Sequence, residues 1–375
     1  MEEKHPMGVG RDDLKTGNSI SARNISSLVS LVILSASLLN DKNTLKQDAW
    51  LALLLGAILI APIYLIYART LKLFPDMGFY DIIEKLFGRV TGVIITAVMS
   101  IYSLWLCTIT LFNFSEYVSL ISLENTPKLV IIISLMSVAA YLSCSGINVL
   151  GRWSIIMSAS LIVNLAITFL LASKALNPEY LKPVFNHSFF DILKGSLSAG
   201  AGAFGDVVLV MAIFASFKKG DSTYKAYMYG LISGALFLIL LYVRNIMILS
   251  TGMIETTVYP SYTANRVIYI GTFLEHVESL TSFNLMLLGI TKISLCLSAT
   301  SISATKIFRY HKHKITILIA AASAITVSFF VFKSTHQIIA ILRAYQPWTL
   351  PFFALLPTIV WIYAEIYTKK RHSPL

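Results

Sequence analysis

Charged residues are scarce in this chain: they make up 13% of the 375 positions, whereas hydrophobic residues make up 56%. Average soluble domains carry about 25% charged residues. The apolar stretches occupy most of the chain and leave only short loops between them, with no room for a soluble domain. We therefore predict a single polytopic membrane domain, without a nucleic-acid partner.

Cysteine is equally rare, with three residues at Cys107, Cys144 and Cys296, all within or at the edges of apolar stretches. None has a partner at the spacing of a metal or redox site, so we expect no metal and no cofactor. The glycine spacing Gly200-x-Gly202-x-x-Gly205 matches a dinucleotide-binding motif, but the preceding strand that this motif requires is missing from the sequence pattern. No catalytic set shares a pocket, so an enzyme is not expected.

Ten apolar stretches are long enough to be membrane spans, since about twenty residues cross a bilayer. They lie at about 23–40, 49–68, 92–112, 127–145, 153–173, 195–217, 226–250, 278–303, 315–333 and 346–367. We call them spans one to ten. The predicted organisation is a polar tail at 1–20, a ten-helix membrane domain at 21–369 and a basic tail at 370–375. The first tail has no apolar core and no cleavage site, so it is not a signal peptide.

The net charge of +11 indicates the orientation of the chain in the membrane. With ten spans both ends lie on one side, and 19 of the 30 basic residues then fall on that side. The opposite side holds ten, and Lys292 lies inside a span. Cytoplasmic loops are rich in Lys and Arg. We therefore predict that both termini are cytoplasmic.

Span six has three glycines and a carboxylate in its middle: Gly200, Gly202, Gly205 and Asp206. Glycine weakens a helix, and an acid at mid-membrane costs about 2.5–3.5 kcal/mol on insertion scales. Broken helices in membranes line sites for small ligands. We predict that the helix is interrupted here and that its free N–H groups suit an amino-acid carboxylate. Asp206 either caps the second half-helix or holds a substrate ammonium or cation, and the two roles are compatible.

Span one is the counterpart of span six when the chain is divided into two sets of five. Small residues occupy its middle, Ser35, Ala36 and Ser37. They allow the backbone to unwind and bind ligand, or they are ordinary small residues at a helix contact. The pattern fits an all-α, ten-helix, 5+5 inverted repeat (about 21–175 and 190–369) with discontinuous helices 1 and 6. That architecture is the amino acid–polyamine–organocation (LeuT-like) fold.

Two further candidates follow from this fold. Lys292 lies fourteen residues from Glu278 and from Lys306, about 21 Å from either end of its span. Its side chain is too short to reach the membrane interface, so Lys292 must be neutral, paired or in a wet cavity. In the LeuT-like fold its span borders span one where some relatives hold a coupling sodium. Lys292 either takes that cation's place, making the protein sodium-independent, or forms a structural ion pair, with Asp206 as one partner. Tyr102, midway through span three, faces the pocket in this fold.

Several phrases, in order, resemble one family. They are Gln47-Asp48-Ala49-Trp50-Leu51, Phe74-Pro75, Leu86-Phe87-Gly88-Arg89-Val90-Thr91-Gly92, Leu123-Glu124-Asn125-Thr126-Pro127, Gly146-Ile147-Asn148-Val149-Leu150-Gly151-Arg152, Phe204-Gly205-Asp206, Tyr259-Pro260 and Phe273-Leu274-Glu275-His276-Val277-Glu278. From span one to span ten the chain is similar to the membrane-embedded B subunits of bacterial spore germinant receptors (GerAB-type). Related members often have a glycine in the middle of span one, where this chain has Ser35-Ala36-Ser37.

This resemblance implies a role in the spore inner membrane. Such subunits are thought to bind a small nutrient germinant, here expected to be an amino acid, and to work with an A subunit and a lipoprotein C subunit. Two alternatives stay open: a proton-coupled amino-acid transporter, and an ion-conducting or scaffolding membrane subunit. The outer segment 251–277 is expected to form a short helix that acts as a lid or as a docking surface for partner subunits.

Overall fold

Helices form at each of the ten predicted spans. The computed structural model describes residues 20–37, 45–75, 77–214, 218, 220–267, 277–310, 312–332 and 348–372. Residues 1–19 of the predicted tail at 1–20 lie outside these ranges. The α-helices in chain order are α1 (Ala22–Ser37), α2 (Ala49–Leu73), α3 (Phe79–Phe87), α4 (Arg89–Ile121), α5 (Lys128–Cys144), α6 (Ile147–Leu171), α7 (Phe189–Ala199), α8 (Val208–Ile213), α9 (Thr223–Thr256), α10 (Pro260–Arg266), α11 (Val277–Phe308), α12 (His313–Val331) and α13 (Leu356–His372).

Five of these helices are extended or joined by other helical turns. A π-helix at Gly200–Phe204 and a 3-10 turn at Gly205–Val207 join α7 to α8, and these four elements together make span six. A second π-helix, Pro351–Leu355, precedes α13 in span ten. Two short 3-10 turns, Lys46–Asp48 and Ala172–Lys174, precede α2 and follow α6.

Length and hydropathy support a membrane-crossing role for most of these elements. Within the described residues, eight helices are long and apolar enough to cross a bilayer. The other two apolar helices, α1 and α5, are each shorter than 18 residues, which is less than a full crossing needs. Exposed large hydrophobic side chains such as Ile101 and Leu170 are 69% and 75% exposed, which lipid explains and water does not.

The packing of the helices repeats after five spans. Span one (α1) packs on span seven (α9), and span six (α7) packs on span two (α2). The second contact is the first with the two halves exchanged, because span six is the counterpart of span one and span two is the counterpart of span seven. Likewise α4 packs on α12, and α11 packs on α5. Spans one, two, six and seven thus form one group, and spans three, four, eight and nine form another. Each group takes two spans from each half, as expected of two structurally equivalent halves that interlock.

Glycines allow the contact between α1 and α9 to be close. A Cβ added to Gly230 would lie 2.6 Å from Val29 Cβ, and one added to Gly234 would lie 2.9 Å from Ile33 Cδ1. The hydroxyl of Ser30 donates to the carbonyl of Gly230 across the same contact at 3.0 Å. Small residues that let two backbones approach are typical of helix contacts in membranes.

Within the segment 251–277, the amphipathic stretch that suggested a short helix is Arg266–Phe273, and most of it lies outside the described residues. A short helix just before it, α10, covers Pro260–Arg266. Residues 268–276 lie outside the described part of the chain. In α10, Asn265 donates to Thr281 of α11 at 2.6 Å, so this short helix is fixed to the N-terminal part of span eight.

Candidate functional site

The middle of span six departs from α-helical hydrogen bonding, as the glycines predict. A π-helix covers Gly200–Phe204 and a 3-10 turn covers Gly205–Val207 before α8 begins. The backbone nevertheless stays helical, with φ/ψ of −57°/−48° at Gly200 and −66°/−34° at Gly205. The interruption is therefore a π-bulge, which is frequent at functional sites, and not an extended segment.

Tyrosine hydroxyls from α2 satisfy carbonyl groups that the two π segments release. Tyr64 donates to the carbonyl of Phe204 at 2.9 Å, and Tyr67 donates to the carbonyl of Phe353 in the π-helix of span ten. Both tyrosines are fully buried. Their rings stack at 5.7 Å and lie edge-on to Tyr227 of α9. We call the π-bulge and 3-10 turn at residues 200–207 the bend. Because buried carbonyls need hydrogen-bond partners in lipid, these tyrosines support the bend.

An ion pair lies at the bend, deep in the protein. Nζ of Lys292 is 2.6 Å from Oδ2 of Asp206, and the two residues are only 6% and 5% exposed. Asp206 lies in the 3-10 turn just before α8, and Lys292 lies in α11. The structure thus shows the Asp206–Lys292 pair that the sequence offered as one alternative. Such a pair is stable only while both charges stay matched, because the low dielectric penalises either one alone.

The three predicted glycines lie in different surroundings. A Cβ added to Gly205 would come within 2.9 Å of Phe353 Cδ1, so span ten packs directly on the bend. Gly200 is buried, yet a Cβ added there would meet no atom of the described residues within 4 Å. Within this part of the chain there is open space beside Gly200. Gly202 lies in the π-helix between them and is partly exposed.

Tyr102 is held near the bend through span ten. It is 3% exposed, and its ring stacks on Phe352 with centroids 4.4 Å apart and an interplanar angle of 8°. Phe352 is the neighbour of Phe353, which contacts Gly205. Spans three, six and ten therefore meet at this point.

Of the two alternatives for span one, the unwound segment is not seen at the predicted residues. The α-helix runs through Ser35, Ala36 and Ser37, so no break is seen at these residues, and residues 38–44 lie outside the described chain. The Ser35 hydroxyl donates to the carbonyl of Val32 at 2.8 Å, so it bonds within its own helix. The hydroxyl is thus satisfied without a break in the helix, and serine disfavours a helix less than glycine does. The side chains of Ala36 and Ser37 are outside the described set. α1 still packs against the bend.

Comparison with known proteins fits this arrangement. The family model described as "Spore germination protein" matches residues 19–338. The chain belongs to the spore germination protein family. Two relatives from Bacillus subtilis (strain 168) are spore germination protein KB, 23% identical over 77% of this chain and 79% of that protein, and spore germination protein A2, 24% identical over 66% and 68%. These names describe germination proteins and not enzymes.

The fold has a solved counterpart among transporters. The structure of Mhp1, a nucleobase-cation-symport-1 family transporter in a closed conformation with bromovinylhydantoin bound, matches with a TM-score of 0.64. The match covers 92% of this chain and 78% of that chain at 12% identity, so it shows the fold alone. The spore germination protein described here is therefore a multi-pass membrane protein with the LeuT-like transporter fold that its sequence predicts.

Sequence reasoning missed the residues that support the bend from other helices. Tyr64, Tyr67 and Tyr227 fit the apolar pattern of their spans, and nothing in that pattern distinguishes them from membrane-facing tyrosines. The Tyr227 hydroxyl is buried and has no hydrogen-bond partner among the described residues. Their spacing was the available signal: Tyr64 and Tyr67 are three residues apart in α2, and such residues share one helix face.

Proposed function

We propose that this protein is the membrane subunit of a spore germinant receptor, and that it binds a small nutrient at the bend of span six to trigger germination. The observation that carries the proposal is the buried Asp206–Lys292 pair at a π-bulge, with open space beside Gly200. The family match supports the germination role, and the transporter fold supports a small-molecule site.

The chemistry of the site favours an amino acid. An amino acid carries one ammonium and one carboxylate, which are the complements of Asp206 and Lys292. A ligand with both charges enters without leaving a net charge in the low-dielectric interior, which would be costly. The predicted ligand-binding set is Ser35, Ala36, Ser37, Tyr102, Gly200, Gly202, Gly205 and Asp206.

The proposed setting of the protein follows from its family. We place it in the spore inner membrane with both termini in the cytoplasm, in a complex with receptor A and C subunits. Lys292 supplies the cation that a coupling sodium provides in other proteins of this fold. Nutrient binding should therefore have the same Kd in sodium and in potassium buffers.

A thermal-shift screen tests the site directly. Full-length protein in detergent is heated with a small panel of amino acids, sugars and nucleosides, and we expect an amino acid to raise Tm. At 100 times its Kd a ligand stabilises by about 2.7 kcal/mol. Gly200→Leu should remove this shift, because leucine fills the open space, while the Tm without ligand stays near that of the wild type.

Gly252→Leu is the matched control. Gly252 is exposed near the C-terminal end of α9, and a Cβ there also meets no described residue within 4 Å. This variant should keep the ligand response. A nutrient response that survives Gly200→Leu unchanged would place the site elsewhere.

An uptake experiment with proteoliposomes distinguishes the proposed receptor subunit from the two alternatives, a transporter and an ion-conducting or scaffolding subunit. A proton-coupled transporter would accumulate labelled amino acid, driven by a pH gradient, whereas a receptor subunit binds the ligand without accumulating it. A scaffold or ion-conducting subunit would show neither uptake nor ligand-dependent stabilisation. We expect binding without accumulation.

A further inference from the structure

A groove opens on the side of the bundle between α1, α6 and α9. Its volume is ≈ 590 Å³, and neither Asp206 nor Lys292 lines it. This volume lies in the usual range of small-molecule sites, about 300–1,000 Å³. The rim is exposed: Ile162 and Tyr229 are each 60% exposed. The groove is therefore separate from the proposed nutrient site, and lipid can reach it from the side.

One end of the groove is positively charged. Arg23 and Lys225 line it, and both are exposed at the start of α1 and α9. The N-termini of these two helices meet here, which adds the positive ends of two helix dipoles. Asp221 is the acidic residue in the lining, and its carboxylate accepts a hydrogen bond from the backbone N–H of Ala22 at 2.7 Å. This end keeps a net positive charge with donors suited to a phosphate.

The lining becomes less polar with depth. Next to the charged end lie the hydroxyls of Ser26, Ser27, Ser30, Ser158 and Ser233. The Ser158 hydroxyl is buried and has no hydrogen-bond partner among the described residues, although it lines the groove. Beyond the serines the lining is apolar, with Leu34, Leu161 and Phe237. The groove thus presents charge, then hydroxyls, then hydrocarbon.

The length of this gradient matches one leaflet. From Arg23 to Leu34 is eleven residues of α1, about 17 Å along the helix axis. Half of the hydrocarbon core of a bilayer is about 15 Å thick. A soluble anion such as inorganic phosphate would use the charged end alone and would leave the apolar part unoccupied.

We propose that this groove binds an anionic phospholipid from the leaflet at this end of the bundle. The phosphate lies between Arg23 and Lys225, the ester region lies against the serine hydroxyls, and an acyl chain follows Leu34 and Phe237. The lipid contacts α1, whose packing against the bend couples the groove to span six. This inference does not depend on the proposed nutrient site.

Lipid titration followed by native mass spectrometry tests the proposal. The full-length protein in detergent is titrated with dioleoyl phosphatidylglycerol and, separately, with zwitterionic dioleoyl phosphatidylcholine. We expect one phosphatidylglycerol to bind tightly, at least about tenfold more tightly than phosphatidylcholine. The double variant Arg23→Gln/Lys225→Gln should weaken phosphatidylglycerol binding about tenfold, since each basic residue near the surface attracts the anionic headgroup.

Two matched controls make the result specific. Arg89→Gln/Lys314→Gln removes two exposed charges at the start of α4 and α12, outside the groove, and should leave the affinity unchanged. Ser158→Phe fills the groove without changing charge and should also weaken binding. Ala159→Phe adds the same ring at the exposed neighbouring position of α6 and should not.

Three outcomes would overturn the proposal. In the first, phosphatidylcholine binds as tightly as phosphatidylglycerol. In the second, the Arg89/Lys314 control weakens binding as much as the Arg23/Lys225 pair. In the third, glycerol 1-phosphate at millimolar concentration displaces the lipid fully, which would make the groove a site for a soluble phosphate. Tm in detergent is recorded for each variant, so that loss of folding is recognised.

Discussion

At the scale of single residues, the Asp206–Lys292 pair dominates the energetics of the site. Each charge is tolerated in the membrane interior because the other is 2.6 Å away. Removing one partner leaves the other charge buried and unmatched, whereas replacing both with uncharged residues is often neutral. The same property makes the pair responsive to a zwitterionic ligand, which can exchange partners with both side chains.

We expect Lys292→Met to destabilise the protein by about 3–5 kcal/mol because it leaves the Asp206 carboxylate unpaired. The double variant Asp206→Asn/Lys292→Met should regain most of that loss. Thermal or denaturant unfolding in detergent measures both, and germination of spores carrying each variant reports the functional effect. A full nutrient response with Lys292→Met would exclude a role for this lysine in the site.

The exposed pair Lys46–Glu255 is the control for this cycle. Its atoms are 3.0 Å apart, but the two side chains are 48% and 50% exposed. Surface pairs contribute about 0–1 kcal/mol, so Lys46→Met should change stability little. If Lys46→Met and Lys292→Met lowered the free energy of unfolding equally, burial would not determine the cost of breaking an ion pair.

The sequence identifies such residues better than it identifies their partners. Asp206 and Lys292 stand out because charges are expensive in spans, and their pairing follows from that cost. Glu365 has Lys369 one turn away in its own helix, but in the structure it accepts from Arg69 of α2 at 2.5 Å. Partners on other helices depend on how each helix is rotated and tilted, which packing decides and one helix's pattern does not show.

At the scale of elements, the bend in span six depends on how closely span ten approaches it. Gly205 is in contact with Phe353, whereas Gly200 faces open space. Gly205→Ala should therefore destabilise by about 1–3 kcal/mol through overpacking. Gly200→Ala should be neutral or stabilising by up to about 1 kcal/mol, since alanine favours a helix. The difference in Tm between the two variants, without ligand, measures this contrast.

A Gly200→Ala loss as large as that of Gly205→Ala would contradict the contrast. It would mean that both glycines serve backbone conformation and that neither contact matters. Because both residues have right-handed helical φ/ψ, alanine can adopt either conformation, so steric contact is the remaining difference.

Hydropathy alone predicted helical structure at the ten apolar stretches, of which eight are long and apolar enough to cross a membrane within the described residues, and the glycines predicted the interruption of span six. Neither pattern could specify a π-bulge in place of an unwound segment, because the distinction depends on Tyr64 donating to the Phe204 carbonyl. For span one the small residues at Ser35–Ser37 suggested a break, but serine can bond to its own helix, as Ser35 does. Small polar residues therefore predict a break less reliably than glycine.

At the scale of the whole molecule, the two sets of five spans are joined by a buried carboxylate. Asp48, just before α2, is fully buried and accepts from the backbone N–H groups of Phe185, Asn186 and His187 at 2.9, 2.8 and 3.1 Å. The imidazole Nδ1 of His187 lies 2.9 Å from the same carboxylate. The segment between spans five and six is thereby fixed to the first set of spans, close to where span six begins.

We expect Asp48→Asn to destabilise the protein by about 2–4 kcal/mol, since the amide cannot replace the charged acceptor for several N–H groups. Its effect should be local first, with faster proteolysis between residues 183 and 188 and a lower Tm. Asp191→Asn is the control, because this exposed carboxylate accepts from the Ser188 hydroxyl at 2.6 Å and serves only the first turn of α7. That change should cost about 0.3–1 kcal/mol. If Asp48→Asn left both proteolysis and Tm at wild-type values, the carboxylate would not be what holds the two sets of spans together on this side.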